Sequence, residues 1–562
     1  MALACDDFHG LNHQLRFLLF EMGIGLTQHS IDYFIHLIHR QCLQRLQQTA
    51  VIEGLTNTFI PSHHVHDFLA QLKLQLKQEN PASIFFDWQV LQKEINEAIA
   101  NEAMAQAYRQ RWQIELKRQV GENKSFWAWL CEENDSHESN HLLEQWGCIN
   151  LSPYPGFKAK LAFSRREVLQ YSAEFGTQMN LHWCAMHKNI ADAFYLSESY
   201  EELISQQFPK EYRLWQEKLY FKQQNPENYY PIPVHPWQWR NQIQKPFSPL
   251  LDHDRLILFP HHQSVKPTSL ASIMMPEDKG ACYMALSLAS EQVSIATTLS
   301  DIQKSQWLNN LLQKHHDCRN LYIGRDLAGL SVMDKSIPAR LQKQLAVTLH
   351  ENPTQRLSQR QRIIPLTALF ANSPISDRPL LLEIIQASGL NPESYFHQYC
   401  QMLLESQLFL LFHCGIALAT SPQGLLILFD DNKPTALLLR KLEDIYICTQ
   451  PAYPEHAAPC TPANLSQIRY QFIQTNLQNN LSFWISCLNR YYGISPKKLW
   501  RIVANTIEIN LAQVAPVINP QVFAWQYSQL MLAPWQYVCA LTMKLHRSQR
   551  RIHRLIPNLL KR

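Results

Sequence analysis

The chain has 562 residues, 46% hydrophobic and 17% charged, which is more than one ordinary core accommodates and calls for several domains. A formal net charge of +4, from 51 Lys and Arg against 47 Asp and Glu, gives no reason to expect nucleic acid as a partner. Only 15 glycines are present and neither GxGxxG nor GxxxxGK[ST] occurs, which excludes the dinucleotide fingerprint and the P-loop.

In chain order, residues 13–52 and 87–119 repeat apolar side chains every three or four positions with little proline, and both stretches predict helices. "GCINLSPYPGFKAK" (147–160) breaks that texture, and short apolar runs follow. "PIPVHPWQW" (231–239) brackets His235 between Pro233 and Pro236 in a stiff, non-helical segment. Trp237 and Trp239 anchor it by burial, an arrangement that suits a held side chain and a packed loop alike. "RLILF" (255–259), "CYMALSL" (282–288) and "VSIATTL" (293–299) read as strands, the last two as a hairpin. Residues 350–390 read as connecting loop, and "LFLLFHCGIALA" (408–419) as a core helix too short to span a membrane. "LLILF" (425–429) and "TALLLR" (435–440) form a hairpin around "DDNKP", and helices dominate from 462 onward, ending in a basic, solvated C-terminal helix over 544–562. The fold class is α+β in three parts: 1–146 helical, 147–375 mixed, and 376–562 mostly helical with the 425–440 hairpin.

Between strands, "SVKPTSLASIMMP" (264–276) puts Lys266, Thr268, Ser269 and Ser272 on one turn. These groups donate to an anion, or cap the turn itself. Histidine pairs at 62–66, 261–262 and 315–316 arise readily among 24 histidines, and no metal site is assigned to them. Thirteen cysteines without CxxC pairs, and no secretory-type leader, predict reduced thiols and a cytoplasmic protein.

The HPWQ at 235–238 after "PIPV" resembles the signature of the NRPS-independent siderophore synthetases of the IucA/IucC type. "FKAKLAFSRREVLQYSAEF" (157–175) is similar to that family's K-S-R-x-G-F…Y-S-P-E-F stretch, and "KPTSLAS" (266–272) to its P-T-x-S-x-R-T. "YMALSL" (283–288) followed by "IATTLS" resembles its K-L-x-L and Thr-to-Arg stretch. "GIALATSPQG" (415–424) with "LLLRKLED" (437–444) resembles G-x-x-x-E-A-H-x-Q-N followed by R-D. The resemblance implies a cupped hand: a helical thumb (1–146), fingers with an antiparallel sheet (147–375) and a helical palm with strands (376–562). It also implies ATP-dependent, AMP-forming activation of a citrate-like polycarboxylate and condensation with an amine or alcohol, with Mg²⁺, in a homodimer without a membrane span.

On that resemblance, His235 braces the nucleotide loop. Ser269, Ser272, Lys266, Lys158 and Gln423 contact ATP or phosphate, and Arg440 holds phosphate or the substrate carboxylate. The family's Arg falls on Ala271, its strand Lys on Ala285, and its second Arg on or beside Ser300. Its Glu falls on Ala419, its His on Ser421, its Asn on Gly424, and the Asp of R-D on Lys441. The family's G-H-P-x-H-P reads "GCINLSPYP". Cations for a triphosphate and carboxylates for a metal are both depleted, and losing one pre-organised donor typically costs on the order of 10²–10³ in rate. Two expectations follow: a ligase in which Lys266, Lys279, Arg255, Arg319, Lys441 or Asp444 takes over the vacated roles, or a non-catalytic paralogue that binds a polycarboxylate or pairs with an active synthetase.

Overall fold

The structure is a computed structural model describing residues 9–149, 151–152, 154–288, 299–450, 453 and 460–561. The chain divides into two compact units. The smaller takes the residues up to Asn123, Asn150–Gln170 and Met531–Lys561; the larger takes Lys124–Ile149 and Tyr171–Leu530.

The smaller unit is built on the helices Gln28–Glu53 and Trp88–Val120. Ile31, Ile35, Ile38 and Leu46 of the first, with Leu91, Ile95, Ile99 and Ala103 of the second, are buried at helical spacing. Thr27 caps the first helix by accepting the Ser30 N–H, and Gly54 ends it in the left-handed region at φ 75°. The Glu53 carboxylate accepts the N–H groups of Leu541 (3.0 Å) and Thr542 (2.7 Å), at the start of the short helix Ala540–Leu545.

The C-terminal basic segment is a strand rather than the expected helix. His553–Ile556 pairs antiparallel with Trp535–Val538, and the Arg554 guanidinium donates to the carbonyls of Val51 (3.0 Å) and Ile52 (3.1 Å). Those carbonyls lie in the last turn of the long helix, where a cation is favoured. Local helical spacing therefore yields to pairing and capping.

In the larger unit the strands are β1 (Met179–His187), β2 (Ala191–Tyr195), β3 (Tyr229–Val234), β4 (Leu256–Pro267), β5 (Ile273–Pro276) and β6 (Tyr283–Leu286). They continue as β7 (Leu321–Ile323), β8 (Asp326–Val332), β9 (Ala346–His350), β10 (Gln361–Pro365) and β11 (Ile416–Ala419). The last are β12 (Leu425–Asp430), β13 (Lys433–Leu439), β14 (Asp444–Cys448) and β15 (Thr461–Ala463). Eight of them form an antiparallel sheet in the order β2-β8-β9-β6-β5-β4-β1-β3, and β10-β12-β13-β7 and β11-β14-β15 form smaller sheets. Helix Pro209–Phe221 covers the large sheet: Trp215 and Leu219 pack with Ala185, Tyr229, Ile257 and Phe259, and the Trp215 indole donates to the Cys184 carbonyl at 3.1 Å. Helix Ser136–Trp146 packs on β10 and reaches the large sheet through the Asn140 amide, which donates to the Tyr283 hydroxyl at 2.9 Å.

The 425–440 hairpin forms as expected, with Asp431 (φ 45°) and Asn432 (φ 67°) as its two turn residues. Residues 408–419 are not one helix. The helix Pro392–Phe409 runs into a π-turn at Leu410–Cys414, Gly415 turns left-handed at φ 66°, and β11 follows. Within the expected connecting loop, β10 and the helix Leu380–Ala387 are ordered elements. The hairpin expected between 282–288 and 293–299 falls largely outside the described residues, although β6 itself is a strand. The twelve cysteines among the described residues form no disulfide. Among the described residues, no helix is long and apolar enough to cross a membrane.

Candidate functional site

β3 delivers the chain to His235, which is extended (φ −63°, ψ 131°) as expected and caps a helical turn, Pro236–Gln238, with Pro236 at its first position. The His235 Nδ1 accepts the Trp237 N–H at 3.1 Å, the ring meets Tyr171 edge-on at 4.9 Å, and the Gln238 amide donates to the Gln344 carbonyl at 2.8 Å. Trp237 and Trp239 are buried, as expected. Burial, assisted by neighbouring His182, pushes the His235 pKa down to about 3, so the ring is neutral and serves the backbone as an acceptor.

An unfolded histidine titrates near 6.5, so below that pH the unfolded chain binds the proton that folded His235 refuses. Stability is complete above about pH 6.5 and falls towards pH 3, by about 1.4 kcal/mol per pH unit for each such histidine. Urea unfolding of His235→Gln at pH 7, 6 and 5 should show a slope shallower than that of the parent by about that amount.

A second set of groups converges where the end of β13, the β4–β5 turn and helix Ser136–Trp146 meet. Arg440 is buried and its guanidinium pairs with the fully buried Glu144 carboxylate. The same guanidinium donates to the Gln423 carbonyl at 2.6 Å and approaches the Ser269 hydroxyl at 3.4 Å. Glu144 also accepts the Ser269 N–H (3.3 Å) and O–H (3.1 Å). The structure therefore brings Arg440, Ser269 and Gln423 together, the last through its backbone. Glu144, which holds both Arg440 and Ser269, is not among the candidates read from the sequence. Its signal is faint: a glutamate on the apolar side of an amphipathic helix.

The other candidates are placed as follows. Ser272 is buried and its hydroxyl donates to the Leu270 carbonyl at 3.3 Å within the turn. Lys266 is half-buried on β4 and, among the described residues, makes no ion pair. Lys158 belongs to the smaller unit, where its carbonyl accepts the Asn101 amide at 2.9 Å.

Of the positions where the resemblance places a charged or polar group, Ala271 sits in the turn at φ 58°, and Ala285 packs in an apolar cluster with Ile273, Met275 and Tyr283. Ala419 is buried in β11. At Gly424 a Cβ would stand 2.6 Å from the Thr420 hydroxyl and 3.0 Å from the Lys441 carbonyl, so this loop has no room for an asparagine without moving.

Three of the six groups available to replace lost charges are engaged in ion pairs or hydrogen bonds elsewhere. Lys279 pairs with Asp135 and with Glu138 (2.9 Å), and Arg255 with Asp334 (2.5 Å). Asp444 accepts the Thr461 hydroxyl (2.5 Å) and the Ile445 N–H (2.8 Å).

Helix Ser136–Trp146 also carries His137 and His141 one turn apart, in the run His137-Glu138-Ser139-Asn140-His141, which has the HExxH spacing of zinc-binding helices. The imidazole rings lie 4.0 Å apart. Burial lowers both pKa values, that of His141 to about 3, with His137 and Lys266 adding to the effect. The donor set does not make a zinc centre: Glu138 turns to Lys279, Glu144 turns to Arg440, and among the described residues no three His, Cys, Asp or Glu side chains converge.

This architecture is that of the siderophore synthetases. It superposes on aerobactin synthetase IucC of Klebsiella pneumoniae with a TM-score of 0.74 at 16% identity, covering 94% of this chain and 98% of that one. With the ATP-bound structure of aerobactin synthetase IucA from the same organism the TM-score is 0.65 at 14% identity, covering 88% and 86%.

Residues 141–371 match the IucA / IucC family, and residues 393–552 match the family described as ferric iron reductase FhuF-like transporter. It is 25% identical over 507 residues to y4xN, an uncharacterized protein of Sinorhizobium fredii, covering 83% of this chain and 80% of that one. It is 19% identical over 374 residues to putrebactin synthase of Shewanella, covering 63% of this chain and 59% of the synthase.

Proposed function

We propose that this chain serves siderophore biosynthesis as a family member that keeps a citrate-type polycarboxylate as ligand while its ATP-dependent ligation is weak or lost. The observation that carries this reading is the closed network at Arg440. The one guanidinium retained from the family pattern already has Glu144, Ser269 and the Gln423 carbonyl as partners. Adenylation needs fixed cations around the phosphates and oxygen ligands for Mg²⁺. Among the described residues, the candidate cations Lys266 and Arg319 make no ion pair, but Arg319 lies in a cavity that Arg440, Glu144 and Ser269 do not line, and the carboxylates of Glu144 and Asp444 are already hydrogen-bonded within the protein. These residues do not fit Mg-ATP, and no reaction step is assigned through it. Such a protein acts by binding the acid or by pairing with an active synthetase.

The alternative is an active ligase joining the acid to an amine or alcohol. It is favoured by the likeness to an ATP-bound synthetase and by Lys266, which stands beside the Ser269 turn. Citrate-dependent ATP–pyrophosphate exchange separates the two. The expected result is exchange no faster than without protein, together with no heat of Mg-ATP binding. Exchange that is clearly above that level and disappears in Arg440→Ala establishes the ligase instead.

A further inference from the structure

We infer that a cavity of about 700 Å³ in the larger unit is a binding site for an elongated organic dianion, with one anionic group at Arg319, the other at Arg325, and an apolar chain between them. The cavity lies among the helix Leu299–Gln313, β7, the start of β8 and the segment following β9. Arg440, Glu144 and Ser269 do not line it, and its volume falls within the roughly 300–1,000 Å³ usual for small-molecule sites.

Its charge is unbalanced in one direction. Three arginines face two carboxylates, and both carboxylates are engaged: Glu351 with Arg356 at 2.8 Å, and Asp326 with the His350 ring. Two guanidiniums remain. Among the described residues Arg319 has only the His316 ring as a side-chain partner, at 3.0 Å, and the Arg325 guanidinium has none. Each offers a fork of N–H donors suited to a carboxylate or phosphate.

The wall is mixed, with Asn309, Asn310 and Gln361 contributing amides beside apolar side chains. Ile323 of β7, Leu428 of β12 and Leu438 of β13 line the cavity. A compact anion would leave this surface wet, and a long-chain diamine would meet two cations. An organic chain with an anionic group at each end, able to reach both guanidiniums past the apolar side chains, satisfies both features, and the proposal stands apart from whether the protein uses ATP.

Calorimetric titration of the whole chain without nucleotide tests it, with suberate, octanoate and 1,8-diaminooctane as probes. Suberate is expected to bind with a Kd below about 1 mM, octanoate about tenfold more weakly, and the diamine not measurably. Arg319→Ala and Arg325→Ala, both at exposed positions, should each weaken suberate about tenfold, and Asn310→Trp, which fills the cavity from the helix, should abolish its binding. The inference is overturned if suberate gives no heat at about 10 mM, if octanoate binds equally well, or if the two arginine variants bind suberate like the parent.

Discussion

Glu144→Ala should destabilise the fold by about 3–5 kcal/mol, the cost of leaving a buried charge without its counter-charge. Arg440 is buried and would keep only the Gln423 carbonyl and a long contact to the Ser269 hydroxyl. Ser269 would in turn lose the acceptor of both its N–H and its O–H. Removing both charges should be milder. Arg440→Met with Glu144→Leu replaces the pair by apolar groups of similar size, and such replacements are often neutral or stabilising. A double-mutant cycle in urea should return a coupling of at least about 1 kcal/mol between the two positions. If Glu144→Ala costs less than about 1 kcal/mol, the pair is not what orders this site, and Arg440 is free to hold an external anion.

The sequence carried the local features well wherever the physics is local. Two apolar runs flanking Asp431 and Asn432 specify a two-residue turn, because those side chains tolerate the left-handed backbone the turn requires. The proline bracket around His235 likewise marked a held ring, though not that the ring accepts a backbone N–H as a helix cap. Long-range choices were not legible. Arg554 lies 503 and 502 residues from the carbonyls it caps, and nothing in its neighbourhood predicts a strand. Gly415 hides the end of a helix inside a continuous apolar run. Glu144 and Arg440, 296 residues apart, meet only once the fold has formed. Position matching identifies Arg440 as a retained cation, but only the folded arrangement tells whether that cation already has a partner.

The same contrast makes Ala285→Lys the sharpest test of the site. The family pattern places a lysine there, yet Ala285 is buried among Ile273, Met275 and Tyr283. An ammonium in that cluster is desolvated by apolar neighbours, and Glu144, whose charge reaches Tyr283 of the same cluster, is already paired with Arg440, so the substitution should cost about 4 kcal/mol or more at pH 7. Ala285→Met adds comparable bulk without charge and should cost about 1–3 kcal/mol, which isolates the electrostatic part by subtraction. The pH dependence fixes the sign. The folded state lowers the new lysine's pKa, so the unfolded chain holds the extra proton, and stability recovers as pH rises towards the ordinary lysine value near 10.4. Raising the pH from 7 to 9 should narrow the gap between the Lys and Met variants by about 1.4 kcal/mol per unit wherever the folded lysine is neutral. Equal stability of the two variants at every pH would mean that the lysine head group reaches a polar space beyond the cluster. A phosphate-binding role would then be open at this position, and the ligase reading would displace the one proposed.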